Sequence, residues 1–132
     1  MTGKLISLLQ SKKNIQNNNT SESGIFLITG DSTVEDTFTE LTEVMSANGD
    51  KGIDLLFIDG AHKYEAVKRD FETYSKIIRP HGFIVFDDGN WASVYEVMRE
   101  IEEFNKEYEF VGSINYRVIF MKKAFGPKLS NK

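Results

Sequence analysis

Three aspartates carry the strongest chemical signal in the chain. Asp59 directly follows the apolar run 53–58, and Asp87 with Asp88 follows the run 83–86. Unbroken apolar runs of this length suit strands buried on both faces of a parallel sheet. Between them Tyr64, Val67, Phe71, Tyr74, Ile77 and Ile78 recur at spacings of three and four, which makes one apolar stripe on a helix. Arg79-Pro80-His81-Gly82 stops that helix and turns the chain. Strand, helix, strand is a βαβ unit, and its crossover is expected to be right-handed. The unit places all three acids at the carboxyl ends of neighbouring strands, the edge where open α/β sheets bind ligands. Carboxylates this close repel one another unless a cation lies between them or one keeps its proton. Three oxygen ligands plus water suit a hard divalent ion such as Mg²⁺. A single acid in such a place more often caps a helix or sits in a solvated loop. Three at two adjacent strand ends favour a site.

His62 lies three residues after Asp59, in the loop above the same edge. Its ordinary pKa suits a general base near neutral pH, and a surface or helix-capping histidine would occupy the same place. His81, beside Pro80 in the turn at the opposite end of the sheet, reads as structural. Gly30-Asp31-Ser32 closes a further apolar run, 24–29. Asp31 there can accept hydrogen bonds from an adenine amino group or a ribose, while Ser32 or Thr33 can cap the helix that follows. Trp91 and Tyr64 could flank a pocket. Aromatic residues at helical spacing usually belong to a core, and both are assigned to it.

The elements that position these residues follow in order. Residues 4–10 suit a short helix, with Leu5, Ile6, Leu8 and Leu9 on one side, and 12–23 form a polar loop. The run 24–29 is expected to be a strand. The next helix carries Val34, Phe38, Leu41, Val44 and Met45 on one stripe and stops near Asn48-Gly49. After the βαβ unit, 91–104 again has helical spacing. Residues 108–114 and 116–121 then form two strands reversed around Asn115, a hairpin. The expected order is β, α, β, α, β, α, β, β, an α/β protein with an antiparallel pair at its C-terminal end. Residues 1–23 are a short helix and loop, 24–122 the domain, and 123–132 a flexible tail.

Composition narrows the function. The 132 residues suffice for one domain, and 40% are hydrophobic. A net charge of −4 without a basic run disfavours nucleic acid and anionic membranes as partners. There are no cysteines, so disulfides and cysteine-based zinc sites are excluded. No apolar segment has transmembrane length, and the first ten residues have too short an apolar core for a secretory signal. The expected location is cytoplasmic.

Taken together, Asp54-Leu-Leu-Phe-Ile-Asp59-Gly-Ala-His62-Lys-Tyr64 and Arg79-Pro-His-Gly-Phe-Ile-Val-Phe-Asp87-Asp88 resemble the motifs of class I S-adenosylmethionine-dependent methyltransferases. The resemblance covers 24–122 and is strongest to the macrolide-sugar O-methyltransferase and cephalosporin-hydroxylase-like subgroup. It implies a Rossmann-like, mostly parallel sheet ending in an antiparallel hairpin. It implies Mg²⁺ on Asp59, Asp87 and Asp88, and His62 as general base. Asp31, with Ser32 and Asp59, would contact S-adenosylmethionine. The implied activity is O-methylation of a small molecule or sugar. The alternative is a non-catalytic methyltransferase-like domain serving binding or assembly, and the chain can form a homo-oligomer through an open sheet edge. That family places a first strand, a Gly-rich cofactor loop and a second strand ahead of everything seen here, and residues 1–23 supply none of them. The chain therefore resembles the C-terminal part of the fold, with 24–29 expected either to close against 53–58 or to leave a gap that another chain fills.

Overall fold

The protein is described by a computed structural model that covers residues 26–60 and 62–124. Helix α1 spans Glu35–Ala47, strand β1 Ile53–Ile58 and helix α2 Tyr64–Tyr74. A single 3₁₀ turn, Ser75–Ile77, leads into β2, Ile78–Phe86. Helix α3 is Ala92–Phe104, and β3 (Tyr108–Ile114) and β4 (Arg117–Lys122) are the last described elements. The strands form one mixed sheet in the order β1-β2-β4-β3. β1 and β2 are parallel, with Ile58 opposite Phe86. β4 runs antiparallel to both β2 and β3.

The period-two alternation of the strands assigns the sheet two unequal faces. Leu56, Ile58, Ile84, Phe86 and Phe120 lie on one face and are buried. Val67, Phe71, Tyr74, Val94, Val97, Met98 and Ile101 from α2 and α3 cover them, and Leu41 and Met45 of α1 join the same core. Phe38 of α1 meets Tyr74 edge-on at 5.5 Å. The opposite face carries Leu55, Phe57, Phe83, Val85, Ile119 and Met121 as cross-strand neighbours. Leu55 and Phe83 are exposed there, and the others are partly buried. No described helix is long and apolar enough to cross a membrane.

Three local expectations are corrected. Residues 26–29, the described part of the run 24–29, form no strand and do not pair with 53–58. Leu27 is 82% exposed while Ile28 packs against the core. Side chains of α2, rather than a strand edge, hold the segment that follows. Arg69 Nε donates to the Thr33 carbonyl (3.1 Å), Tyr74 Oη to the Ser32 carbonyl (2.8 Å), and Asp70 Oδ2 accepts from Ser32 Oγ (3.0 Å). Neither Ser32 nor Thr33 caps α1: Val34 occupies that position without a side-chain bond. The second helix also ends earlier than its stripe suggests, because Ile78 opens β2. Pairing then jumps from Ile53–Ile78 to Leu55–Phe83, so 79–82 bulge out with His81 at φ 70°. The expected helix at 4–10, the loop at 12–23 and most of the tail lie outside the described residues.

The hairpin forms as expected. Its two-residue turn, Asn115-Tyr116, has φ of 50° and 66°, the double left-handed geometry of a type I′ turn. Tyr116 is not suited to that conformation, and its side chain is exposed. Tyr116→Gly is therefore expected to raise stability by about 1 kcal/mol, measured by urea unfolding; a loss would show that the ring makes a needed contact.

Asp70 is 2% exposed on the apolar flank of α2, and its Oδ1 has no hydrogen-bond partner. Burial pushes its carboxyl up from 3.8 to about 6, with a smaller push from the charge of Asp31; the Ser32 hydroxyl opposes both. The folded state thus binds this proton more tightly than the unfolded state does. The associated stability is complete below pH 3.8 and is lost as pH rises through about 6. At about 1.4 kcal/mol per pH unit, the loss is on the order of 3 kcal/mol. Asp70→Asn is expected to match the wild type near pH 4 and exceed it at pH 7–8, read from paired melts across that range. Parallel pH curves for the two proteins would rule this out.

Candidate active site

The parallel register of β1 and β2 ends both strands at the same rim. Beyond it, Asp87 N donates to the Ile58 carbonyl at 3.0 Å, which carries the ladder one step further. One carboxylate oxygen from each of Asp59, Asp87 and Asp88 then lies within 4.8 Å of the others. Asp59 is exposed, and Asp87 and Asp88 are partly buried. Asp88 adopts φ 58°, a left-handed conformation that costs about 1 kcal/mol and that Asp tolerates better than most residues. Its amide donates to Asp87 Oδ1 at 2.9 Å, and its carbonyl accepts from Trp91 N at 3.0 Å.

The hairpin turn reinforces this bend. Gly89 N donates to the Tyr116 carbonyl at 2.8 Å. A Cβ at Gly89 would meet Val118 Cγ2 at 2.7 Å, so the strained loop and β4 approach more closely than a side chain allows. Arg117 Nε stands 3.6 Å from Asp87 Oδ1, with its side chain half exposed. One half-exposed guanidinium at that distance neutralises little of three carboxylates. The arrangement concentrates negative charge and offers hard oxygen donors, which fits a divalent cation such as Mg²⁺.

His62 joins the acids. Its Nε2 lies 2.7 Å from Asp88 Oδ2. Trp91 stacks on its ring, with centroids 4.1 Å apart and planes 17° from parallel. Ser93 Oγ donates to the His62 carbonyl. Trp91 is 50% exposed, which corrects its assignment to the core. The helical spacing that suggested a core position starts one residue later, at Ala92, and Trp91 precedes α3 as its N-cap. Tyr64 is partly buried and packs at the core's edge, its hydroxyl donating to Glu100 at 2.8 and 2.9 Å.

Asp31 and Ser32 belong to a different constellation. Asp31 Oδ1 accepts from the Thr33 hydroxyl (2.7 Å) and amide (2.9 Å), which hold its carboxyl below the usual carboxylate range. Ser32 is 1% exposed, its hydroxyl spent on Asp70. Tyr74 completes the cluster, its hydroxyl pushed up to about 12 by burial and then by the charges of Asp70 and Asp31. Sequence reading missed Asp70, although its place between Val67 and Tyr74 on the apolar stripe was a signal. The hollow at the acid rim, lined by Asp59, His62 and Asp87, holds about 10 Å³. A larger one of about 450 Å³, between α2 and α3, contains none of the three aspartates and not His62.

Comparison with known proteins gives this geometry a context. An uncharacterized protein of Acanthamoeba polyphaga mimivirus is 57% identical over 37 residues, 28% of this chain and 17% of that protein. The matched part thus spans under a fifth of that relative's length. The structure of the O-methyltransferase NovP aligns with 55% of this chain and 31% of its own, at 16% identity and a TM-score of 0.47. A family model described as a methyltransferase domain matches residues 7–89. That span exceeds half of the 132 residues and includes Asp59, His62, Asp87 and Asp88. The chain belongs to the methyltransferase-domain family.

Proposed function

We propose that the protein takes part in S-adenosylmethionine-dependent O-methylation of a small-molecule or sugar hydroxyl, assisted by a divalent cation. The observation that carries this reading is the convergence of three strand-end carboxylates and His62 at one rim, all inside the family match. Asp59, Asp87 and Asp88 would hold the cation. When bound, Mg²⁺ lowers the pKa of a hydroxyl that contacts it. Asp88 can serve both neighbours, because Oδ2 faces His62 and a carboxylate has a second oxygen to offer. With Nε2–H donating to Asp88, His62 keeps the lone pair on Nδ1 and can take a proton there. The Asp88 charge then stabilises the imidazolium that results. Asp31 remains the candidate for the cofactor's adenine, whereas Ser32 faces the core and contributes indirectly. The cysteine-free, acidic composition suits a cytoplasmic setting and a small neutral or cationic partner. The apolar second face of the sheet supports association with a further polypeptide, a second copy included.

A non-catalytic binding domain is the second reading. The small hollow beside the acids and the inward-turned Ser32 favour it.

Titration calorimetry with S-adenosylmethionine, with and without Mg²⁺, separates the two. Binding strengthened by Mg²⁺, together with transfer of labelled methyl to a hydroxyl acceptor, is the outcome expected of the enzyme. No heat at millimolar cofactor would leave the binding domain. Independently, Asp87→Asn keeps an acceptor for the Asp88 amide but removes a charge. It is expected to weaken Mn²⁺ binding about tenfold or more, and unchanged affinity would make the acids structural.

A further inference from the structure

Trp91 is poorly matched to its place in the fold. It stands at the N-cap of α3, where Ser, Thr, Asp or Asn would satisfy a free amide, and it makes no capping bond. Half of it is exposed, so burial does not account for it either. Val34 and Lys63 also head their helices without a capping bond, so the missing cap does not set Trp91 apart; its contact does. What Trp91 does touch is His62, ring on ring.

His62 is held in three ways, each by a residue between 88 and 93. Asp88 pairs with Nε2, Trp91 covers a ring face, and Ser93 bonds the backbone carbonyl. The three constraints differ in kind. The Ser93 bond fixes the loop, and the Asp88 bond fixes one ring atom. With a third of the His62 side chain exposed, the ring could still pivot about that atom. The indole removes that freedom by fixing the ring plane.

We propose that Trp91 is a positioning residue that holds the His62 imidazole in the plane where Nε2 meets Asp88 and Nδ1 is presented to the acceptor. The proposal rests on the methyl-transfer reading, in which His62 takes the acceptor's proton. Trp91 touches no reacting atom; it acts through the ring it covers. A base displaced by a fraction of an ångström loses rate rather than affinity, so the signature is in kcat.

The test compares Trp91→Ala with Trp91→Phe, the second retaining a flat ring. Both substitutions lie at a half-exposed position, and a cooperative melt is to be shown for each before its signals and rates are compared. The chain has two histidines, so His81→Asn assigns the His62 imidazole signals in ¹H–¹³C spectra. Indole ring current should displace the His62 signals upfield in the wild type. Trp91→Ala should return them to the positions of a free histidine, and Trp91→Phe should keep part of the displacement. In turnover, Trp91→Ala is expected to lower kcat about tenfold or more, with KM for acceptor and S-adenosylmethionine within about twofold, and Trp91→Phe to restore most of the loss. Wild-type kcat in Trp91→Ala, or equal loss in both variants, overturns the proposal. If the wild type transfers no methyl group, the methyl-transfer reading fails on its own, and the spectra still decide the hold on His62. Signals unmoved by Trp91→Ala overturn it; signals released by Trp91→Ala and retained by Trp91→Phe support it.

Discussion

The amide of Asp87 donates to the carbonyl of Ile58, and this bond decides where every reactive group goes. It extends the parallel ladder past the last strand residues, so two loops distant in sequence begin at the same height. A slip of one residue between β1 and β2 would turn either Leu56 and Ile58 or Ile84 and Phe86 out of the core. The carboxylate cluster is therefore protected by the hydrophobic register beneath it. Repulsion among the acids is offset by a core that would have to come apart before they could separate.

The helices that enforce this register lie against one side of the sheet. Their shared core contains Tyr74, Phe86 and Phe120, each almost wholly buried. A neighbouring hydrogen-bond cluster ties α2 to the 31–33 segment through Asp70, Tyr74 and Arg69. It is built at a cost, since a carboxyl with one unpartnered oxygen lies inside an apolar surround. The same atoms that secure the segment also make it sensitive to the protonation of one group. The second sheet face has no such cover from the described helices, and Leu55 and Phe83 remain in contact with solvent.

The βαβ unit was legible because its signals are local: two apolar runs, a stripe at helical spacing, and acids at fixed offsets. The hairpin was legible for the same reason, with Asn115 as its pivot. Residues 26–29 were misread as strand because an apolar run indicates that a strand is possible, whereas a ladder partner decides whether it forms. The cap reading of Ser32 failed because its hydroxyl answers to Asp70, 38 residues away, and no pattern in the sequence encodes that distance. Trp91 was misread because helical periodicity cannot tell the last loop residue from the first helical one. The candidate site followed suit. The trio and His62 lie at strand ends and could be placed from topology, whereas the groups that fix them come from loop geometry that topology leaves open.

Trp91 is also the chain's single tryptophan, set against five tyrosines. Ultraviolet emission excited at long wavelength therefore arises from one indole, and that indole lies at the rim rather than in the core. Because it already meets water in the folded state, unfolding should shift its emission maximum little. Its intensity, by contrast, depends on the imidazole stacked against it. The molecule thus carries a built-in optical probe of its reactive corner, one nearly blind to the melting of its interior.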